Sequence, residues 1–280
     1  MAAFTTWFQI CLSIVFLQVR VWCELIHLLP CISKTTQERW SMLVLCVYLK
    51  AFLFSQCQLS FKVDRDEIQA GWDSIRRSLR SGKSVFLLMN HVSKLDGLLM
   101  AMLAPVDVTA KCKTYMNVRL FKAFLVGRLW KLVGHLPVYF KSNDHGAFKV
   151  DKEKQAVVSK KLRGFMATGK ILIFCPEGQI NNDPRTLQPF RRGSFDMPSE
   201  MGMDIWALTT ANCDKVWPKL APMGGYPATI KISLKKIHSG NPRKKNASLD
   251  EVKEACKNLA DKCQIKMQAE VDKFYSGKVH

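Results

Sequence analysis

The sequence predicts an α/β fold, a mixed sheet flanked by helices and preceded by an apolar two-helix segment that associates with membrane. Three observations predict it. Short continuous apolar runs at 84–89 and 171–174 read as buried strands. Helix-patterned stretches at 66–80 and 152–168 precede them, and strands alternating with helices argue for α/β. The first sixty residues are mostly apolar, with only Arg20, Lys34, Arg39 and Lys50 against Glu24 and Glu38. Two regions follow: residues 1–60, helical and membrane-associating, and residues 61–280, an α/β domain.

Within the first region, residues 7–17 are apolar except for Gln9 and Ser13, and residues 40–59 are interrupted by Lys50. Neither is a clean run of about 20 apolar residues, the length a spanning helix needs. A basic leader and an Ala-x-Ala cleavage site are both missing, so a signal peptide is not indicated. Three arrangements fit: a hairpin lying in one leaflet with residues 30–38 as its turn, one or two marginal spanning helices, or a buried helical pair. Trp7, Trp22 and Trp40 suit a membrane interface and equally a packing face.

In the second region, Ile68, Trp72, Ile75 and Leu79 fall on one helical face, and Ser81-Gly82-Lys83 ends that helix. Residues 84–89 form the first strand. Residues 152–168 form a helix, Gly169-Lys170 turns, and residues 171–174 form a second strand; residues 205–208 read as a third. Residues 249–275 are a charged amphipathic helix with no evident chemistry.

The 42 basic against 23 acidic residues give a net charge of +19, which calls for an anionic partner. No zinc-finger spacing or RNA-binding aromatic motif is present, so an anionic membrane ranks above nucleic acid. None of the ten cysteines forms a C-x-x-C pair or has metal-ligand spacing with histidine, and no metal site is expected. Cys11, Cys23, Cys31, Cys46 and Cys57 lie in the apolar region, where reduced thiols act as small hydrophobes.

The first strand runs into Asn90-His91-Val92-Ser93-Lys94-Leu95-Asp96 and the second into Cys175-Pro176-Glu177-Gly178. Active sites of open α/β sheets gather at such strand ends. Residues i and i+5 of a regular helix point about 140° apart. His91 and Asp96 therefore pair only if His91 sits in the strand-to-helix turn and Asp96 enters the helix. The carboxylate then accepts from Nδ1–H and leaves Nε2 free as a general base. By itself this spacing is common and a histidine there is more often structural. With no nucleophile nearby, the pair suits deprotonation of a substrate hydroxyl.

Four blocks in order carry a resemblance. Asn90 to Asp96 resembles N-H-x-S-x-x-D; Gly134-His135-Leu136-Pro137-Val138-Tyr139-Phe140-Lys141 resembles a second block that usually closes with Arg. Phe174-Cys175-Pro176-Glu177-Gly178-Gln179 resembles F-P-E-G-T, and Phe190-Arg191-Arg192-Gly193-Ser194-Phe195 is similar to F-K-x-G-A-F. Over about residues 61 to 230 the chain resembles the glycerolipid acyltransferases typified by 1-acylglycerol-3-phosphate acyltransferases. The resemblance implies transfer of a fatty acyl chain from acyl-CoA or acyl carrier protein to a lysophospholipid hydroxyl, without cofactor, metal or acyl-enzyme. It gives His91 the base role and Asp96 the orienting role. It puts Glu177 and Gly178 in the acceptor site, Glu177 bonding an acceptor hydroxyl and backbone N–H groups beside Gly178 facing an anion. Lys111 with Lys113, Lys141, Arg191 and Arg192 become candidate phosphate contacts. Lys141 in place of Arg, Cys175, Gln179 and a proline-free stretch at 204–208 depart from the pattern, mostly where the family binds its acceptor. Glycerol-3-phosphate or another lysophospholipid is the alternative acceptor, and a non-catalytic basic membrane- or nucleic-acid-binding protein the alternative class. The implied partners are membrane lipids and acyl-CoA. The implied location is the endoplasmic reticulum or another intracellular membrane, with the site facing the cytosol, where Asn246-Ala247-Ser248 stays unglycosylated.

Overall fold

A computed structural model describes residues 1–141 and 149–276. Helices α1 (Ala2–His27) and α2 (Lys34–Phe54) form an antiparallel hairpin, with the Ser33 hydroxyl capping α2 by accepting from the Thr36 N–H. Strand β1 (Leu59–Val63) leads into α3 (Arg65–Arg80), capped by Asp64, and β2 (Val85–Met89) follows. Next come α4 (Asp96–Leu103), the short α5 (Val106–Thr109), β3 (Cys112–Asn117), α6 (Gly127–Leu132), β4 (Leu136–Val138) and the small pair β5 (Phe140–Lys141) and β6 (Lys149–Val150). Helix α7 (Lys152–Met166), β7 (Ile171–Phe174), α8 (Asp196–Met201), β8 (Asp204–Ala211), the one-turn α9 (Cys213–Val216), β9 (Ala228–His238) and α10 (Leu249–Tyr275) complete the chain.

Seven strands form one sheet in the order β1-β9-β8-β2-β7-β3-β4. Every neighbouring pair is parallel except β8 with β9, so the sheet is mixed. Successive side chains of a strand face opposite ways. Val85, Leu87 and Met89 of β2 accordingly join a core with α1, α2, α3 and α4, while Phe86 and Leu88 join a second core with α7, α8 and α10. Burial on both faces is why β2 reads as an uninterrupted apolar run.

The hairpin's inner face belongs to the first core. Phe8, Leu12, Val15, Phe16, Val19 and Cys23 are buried, and Phe8 meets the edge of Phe52 at 5.0 Å between ring centroids. The opposite face of α1 is apolar as well: Trp7, Ile10, Ile14, Leu17, Val21 and Leu25 are each about half exposed. Helix α1 is long and apolar enough to cross a membrane by length and composition. Helix α1 thus has one apolar face inside the protein and one outside it.

A buried ion pair ties the hairpin to the sheet. Glu38 of α2 accepts from the Lys113 ammonium of β3 at 2.5 Å, and both side chains are less than a tenth exposed. The same ammonium lies 4.7 Å above the Phe165 ring. Gly134, at φ +75°, lets the chain pass against this pair, because a Cβ there would collide with the Glu38 carboxylate.

Candidate active site

Strand β2 ends at Asn90, whose side chain is bonded to the end of β8. Its Nδ2 donates to the Thr210 carbonyl at 2.8 Å and its Oδ1 accepts from the Thr210 N–H at 2.9 Å. The chain then turns through His91 to Leu95 and enters α4 at Asp96. One carboxylate oxygen organises the turn: Asp96 Oδ2 accepts from the Val92 N–H (2.7 Å), the Ser93 N–H (2.8 Å) and His91 Nδ1 (3.1 Å). This is the strand-to-helix geometry that the i+5 spacing requires. Asp96 is fully buried, whereas 23% of the His91 side chain is exposed. With Nδ1 carrying the proton toward Asp96, the imidazole keeps Nε2 as its free lone pair. The Ser93 hydroxyl accepts from the Leu95 N–H and donates to the Trp217 carbonyl at 2.8 Å, fastening the turn to the loop before β9. Beside Asp96, the Cys213 thiol is pushed well above its ordinary pKa, first by burial and then by the Asp96 charge, so it stays protonated.

Strand β7 lies next to β2 and delivers Glu177 to the same end of the sheet. Glu177 Oε1 accepts from the His91 N–H at 2.8 Å; Oε2 accepts from Asn181 Nδ2 at 2.8 Å and the Gln188 N–H at 3.0 Å. The Asn181 N–H in turn donates to the His91 carbonyl. Burial raises the Glu177 pKa, and the bonds from Gln188, His91 and Asn181 oppose that rise.

A family model described as Acyltransferase matches residues 73–210, which include β2, β7 and all but the last residue of β8, and with them His91, Asp96 and Glu177. This chain belongs to the acyltransferase family. Among solved structures it is similar to the crystal structure of the 1-acyl-sn-glycerophosphate (LPA) acyltransferase PlsC from Thermotoga maritima. The TM-score is 0.66 at 12% identity, over 100% of this chain and 98% of that one, which establishes a shared fold. No curated protein sequence matches the chain.

On the acceptor side of the acyltransferase, several residues lie elsewhere than expected. Glu177 is buried and both oxygens already accept from the chain, so it holds the backbone of His91 in place. The N–H of Gly178 itself donates to the Cys175 carbonyl. Gly178 is needed for its φ of +74° and because the Arg191 side chain lies against it, 3.1 Å from where a Cβ would stand. Lys111 is not near His91. Its carbonyl accepts from the Ile171 N–H, at the start of β7 and level with Val85. At about 3.3 Å per residue, that puts it about 20 Å along the sheet from His91. Lys113 is buried over the Phe165 ring, on the same face of β3 as Tyr115, and is paired with Glu38.

Arg191 stays at the site, exposed beside Gly178, with its N–H on the Pro176 carbonyl. Arg192 instead lines a shallow surface cavity with Asp250, Lys253 and Lys257 of α10. Lys141 closes β5 just beyond β4, whose C-terminal end is level with the end of β3; its side chain lies outside the described residues. Asn181, Gln188 and Trp217, which complete the site, carried no signal because irregular loops have no periodicity to read. Asn90 was legible, since it is the first letter of the His91 block.

Proposed function

We propose that this acyltransferase moves a fatty acyl chain from acyl-CoA, or acyl carrier protein, to the free hydroxyl of 1-acylglycerol-3-phosphate, giving phosphatidate. The observation that carries the chemistry is the Asp96 Oδ2 to His91 Nδ1 bond, which leaves Nε2 as a base at the open end of the sheet. Nε2 takes the proton of the acceptor hydroxyl as its oxygen attacks the thioester carbonyl. The tetrahedral intermediate collapses, the C–S bond breaks, and the leaving thiolate takes the proton back from the imidazolium. The buried Asp96 carboxylate favours the charged imidazolium in between. Arg191 supplies a guanidinium for the acceptor phosphate, with Lys141 as the second cation.

Lipid substrates enter from a bilayer, and the outer face of α1 suits a helix lying in the interface: a full-length apolar stripe on a strongly basic protein. Ile14→Lys together with Leu17→Lys is expected to weaken binding to anionic vesicles tenfold or more, since each buried apolar side chain is worth about 1.5–3 kcal/mol. Both residues are about half exposed, so folding stability should move by less than about 0.5 kcal/mol. Vesicle co-sedimentation beside thermal unfolding checks both.

The acceptor is tested with purified protein in vesicles, oleoyl-CoA, and a panel of lysophosphatidate, glycerol-3-phosphate, lysophosphatidylcholine and lysophosphatidylethanolamine. Lysophosphatidate is expected to give kcat/KM at least about tenfold above the others: over glycerol-3-phosphate through burial of its acyl chain, and over the choline and ethanolamine lipids through the second negative charge of its phosphate. Equal or better turnover of another acceptor overturns the reading.

A further inference from the structure

The C-terminal helix α10 has no role in the chemistry above, yet it touches the site through one segment. Its buried face, Cys256, Leu259, Ala260, Cys263, Met267 and Val271, packs into the second core. Gln264 and Gln268 stand one turn apart at the edge of that face. Neither side chain is spent on the core. Gln264 Oε1 accepts from the Phe190 N–H at 3.1 Å; Gln268 Oε1 accepts from the Leu187 N–H at 2.7 Å. Gln268 Nε2 donates to the Arg185 carbonyl at 2.7 Å and to Asp272 at 2.8 Å. One helix face therefore satisfies three backbone groups within residues 185–190.

The other edge of the same strap faces the site. The Gln188 N–H donates to Glu177 Oε2, and the Thr186 carbonyl accepts from Asn181 Nδ2 at 2.7 Å. Backbone groups of 185–188 thus alternate, 185 and 187 toward α10 and 186 and 188 toward Glu177 and Asn181, as in a strand with partners on both sides, and Phe190 turns back to α10. The Arg185 guanidinium sits 5.2 Å over the Tyr275 ring at the end of α10, a further clasp on the strap. From the strap the chain runs directly into Arg191.

We propose that Gln264 and Gln268 are positioning residues: α10 holds strap 185–190 taut, and the strap holds Glu177, and through it the His91 backbone, together with Arg191. The kinetic part rests on the proposed acceptor reaction; the mechanical part does not. The test is the full chain with Gln264→Ala and Gln268→Ala combined. Acceptor KM is expected to rise about tenfold while acyl-CoA KM stays within twofold, a split that loss of folded protein does not produce. Gln264→Glu keeps an accepting oxygen for Phe190 and should restore its share of the effect. Gln268→Glu keeps the bond to Leu187 but loses the donor to Arg185, and should fall between.

Amide exchange reads the mechanical part without turnover. The Gln188 and Asn181 amides should exchange at least about tenfold faster in the double alanine variant, with the β2 amides unchanged. Unchanged Gln188 exchange, or equal rises in both KM values, overturns the proposal. A wild-type chain inactive on every acceptor overturns the proposed function instead, and the exchange result then decides the strap.

Discussion

His91→Ala is expected to lower acyl transfer by about 10² to 10⁴, the usual contribution of a positioned general base. The fold should survive the change. The His91 ring makes one side-chain hydrogen bond, to Asp96, and Asp96 Oδ2 keeps the Val92 and Ser93 N–H groups when the ring is gone. The stability cost is about 1 kcal/mol, one net hydrogen bond. Asp96→Asn tests the orienting role separately. The amide can still accept from the turn, but it no longer stabilises the imidazolium, so kcat is expected to fall about 10²-fold or more with the protein folded. Single-turnover assays on both variants, alongside circular dichroism, check the pair. Retention of more than a tenth of wild-type activity by folded His91→Ala would remove the mechanism.

The largest stability effect belongs to Glu38→Ala. Removing one partner of a buried ion pair leaves the other charge uncompensated, which costs about 3–5 kcal/mol. Lys113 has little recourse: its ammonium sits between Glu38 and the Phe165 ring, and its side chain is 8% exposed. Burial and the adjacent Lys113 charge hold the neighbouring His135 imidazole neutral, so it adds no second positive charge, and in neither protonation state can it replace the lost carboxylate. Replacing both partners with methionine should return stability to within about 1–2 kcal/mol of wild type, because the desolvation penalty disappears along with the attraction. Urea unfolding of the two variants measures the difference. A Glu38→Ala protein within 1 kcal/mol of wild type would show that the pair does not hold the hairpin to β3.

The site was legible where one residue type in one turn decides the geometry. The i+5 spacing of His91 and Asp96 forced the strand-to-helix turn that the structure shows, and the apolar runs of β2 and β7 announced strands buried on both faces. Strand β9 was missed although its signal is present: Ile230, Ile232 and Leu234 alternate with Lys231, Ser233 and Lys235. Its lysines break the continuous apolar run by which β2 and β7 are read. Lys111 was misplaced for a different reason. Position along the chain fixes which strand a residue begins, but not which end of the sheet it reaches, and β3 begins at the end opposite His91. Glu177 was found, but its partners within the protein were not, because its bonds come from backbone groups and from Asn181, which no pattern marks.

The placement of β9 between β1 and β8 has a consequence for synthesis. Ser60 of β1 meets Thr229 of β9 across 169 residues of chain. At about 5–20 residues per second, roughly ten to thirty seconds separate translation of the two strands. Over that interval β1 has no neighbour in the sheet, and Phe8 of α1 still lacks Trp217, the ring it meets at 5.6 Å when folded. The nascent hairpin thus leaves the ribosome with two apolar faces, one destined for the core and one that none of the described residues covers. Until the last quarter of the polypeptide arrives, both faces are open to any apolar partner they meet.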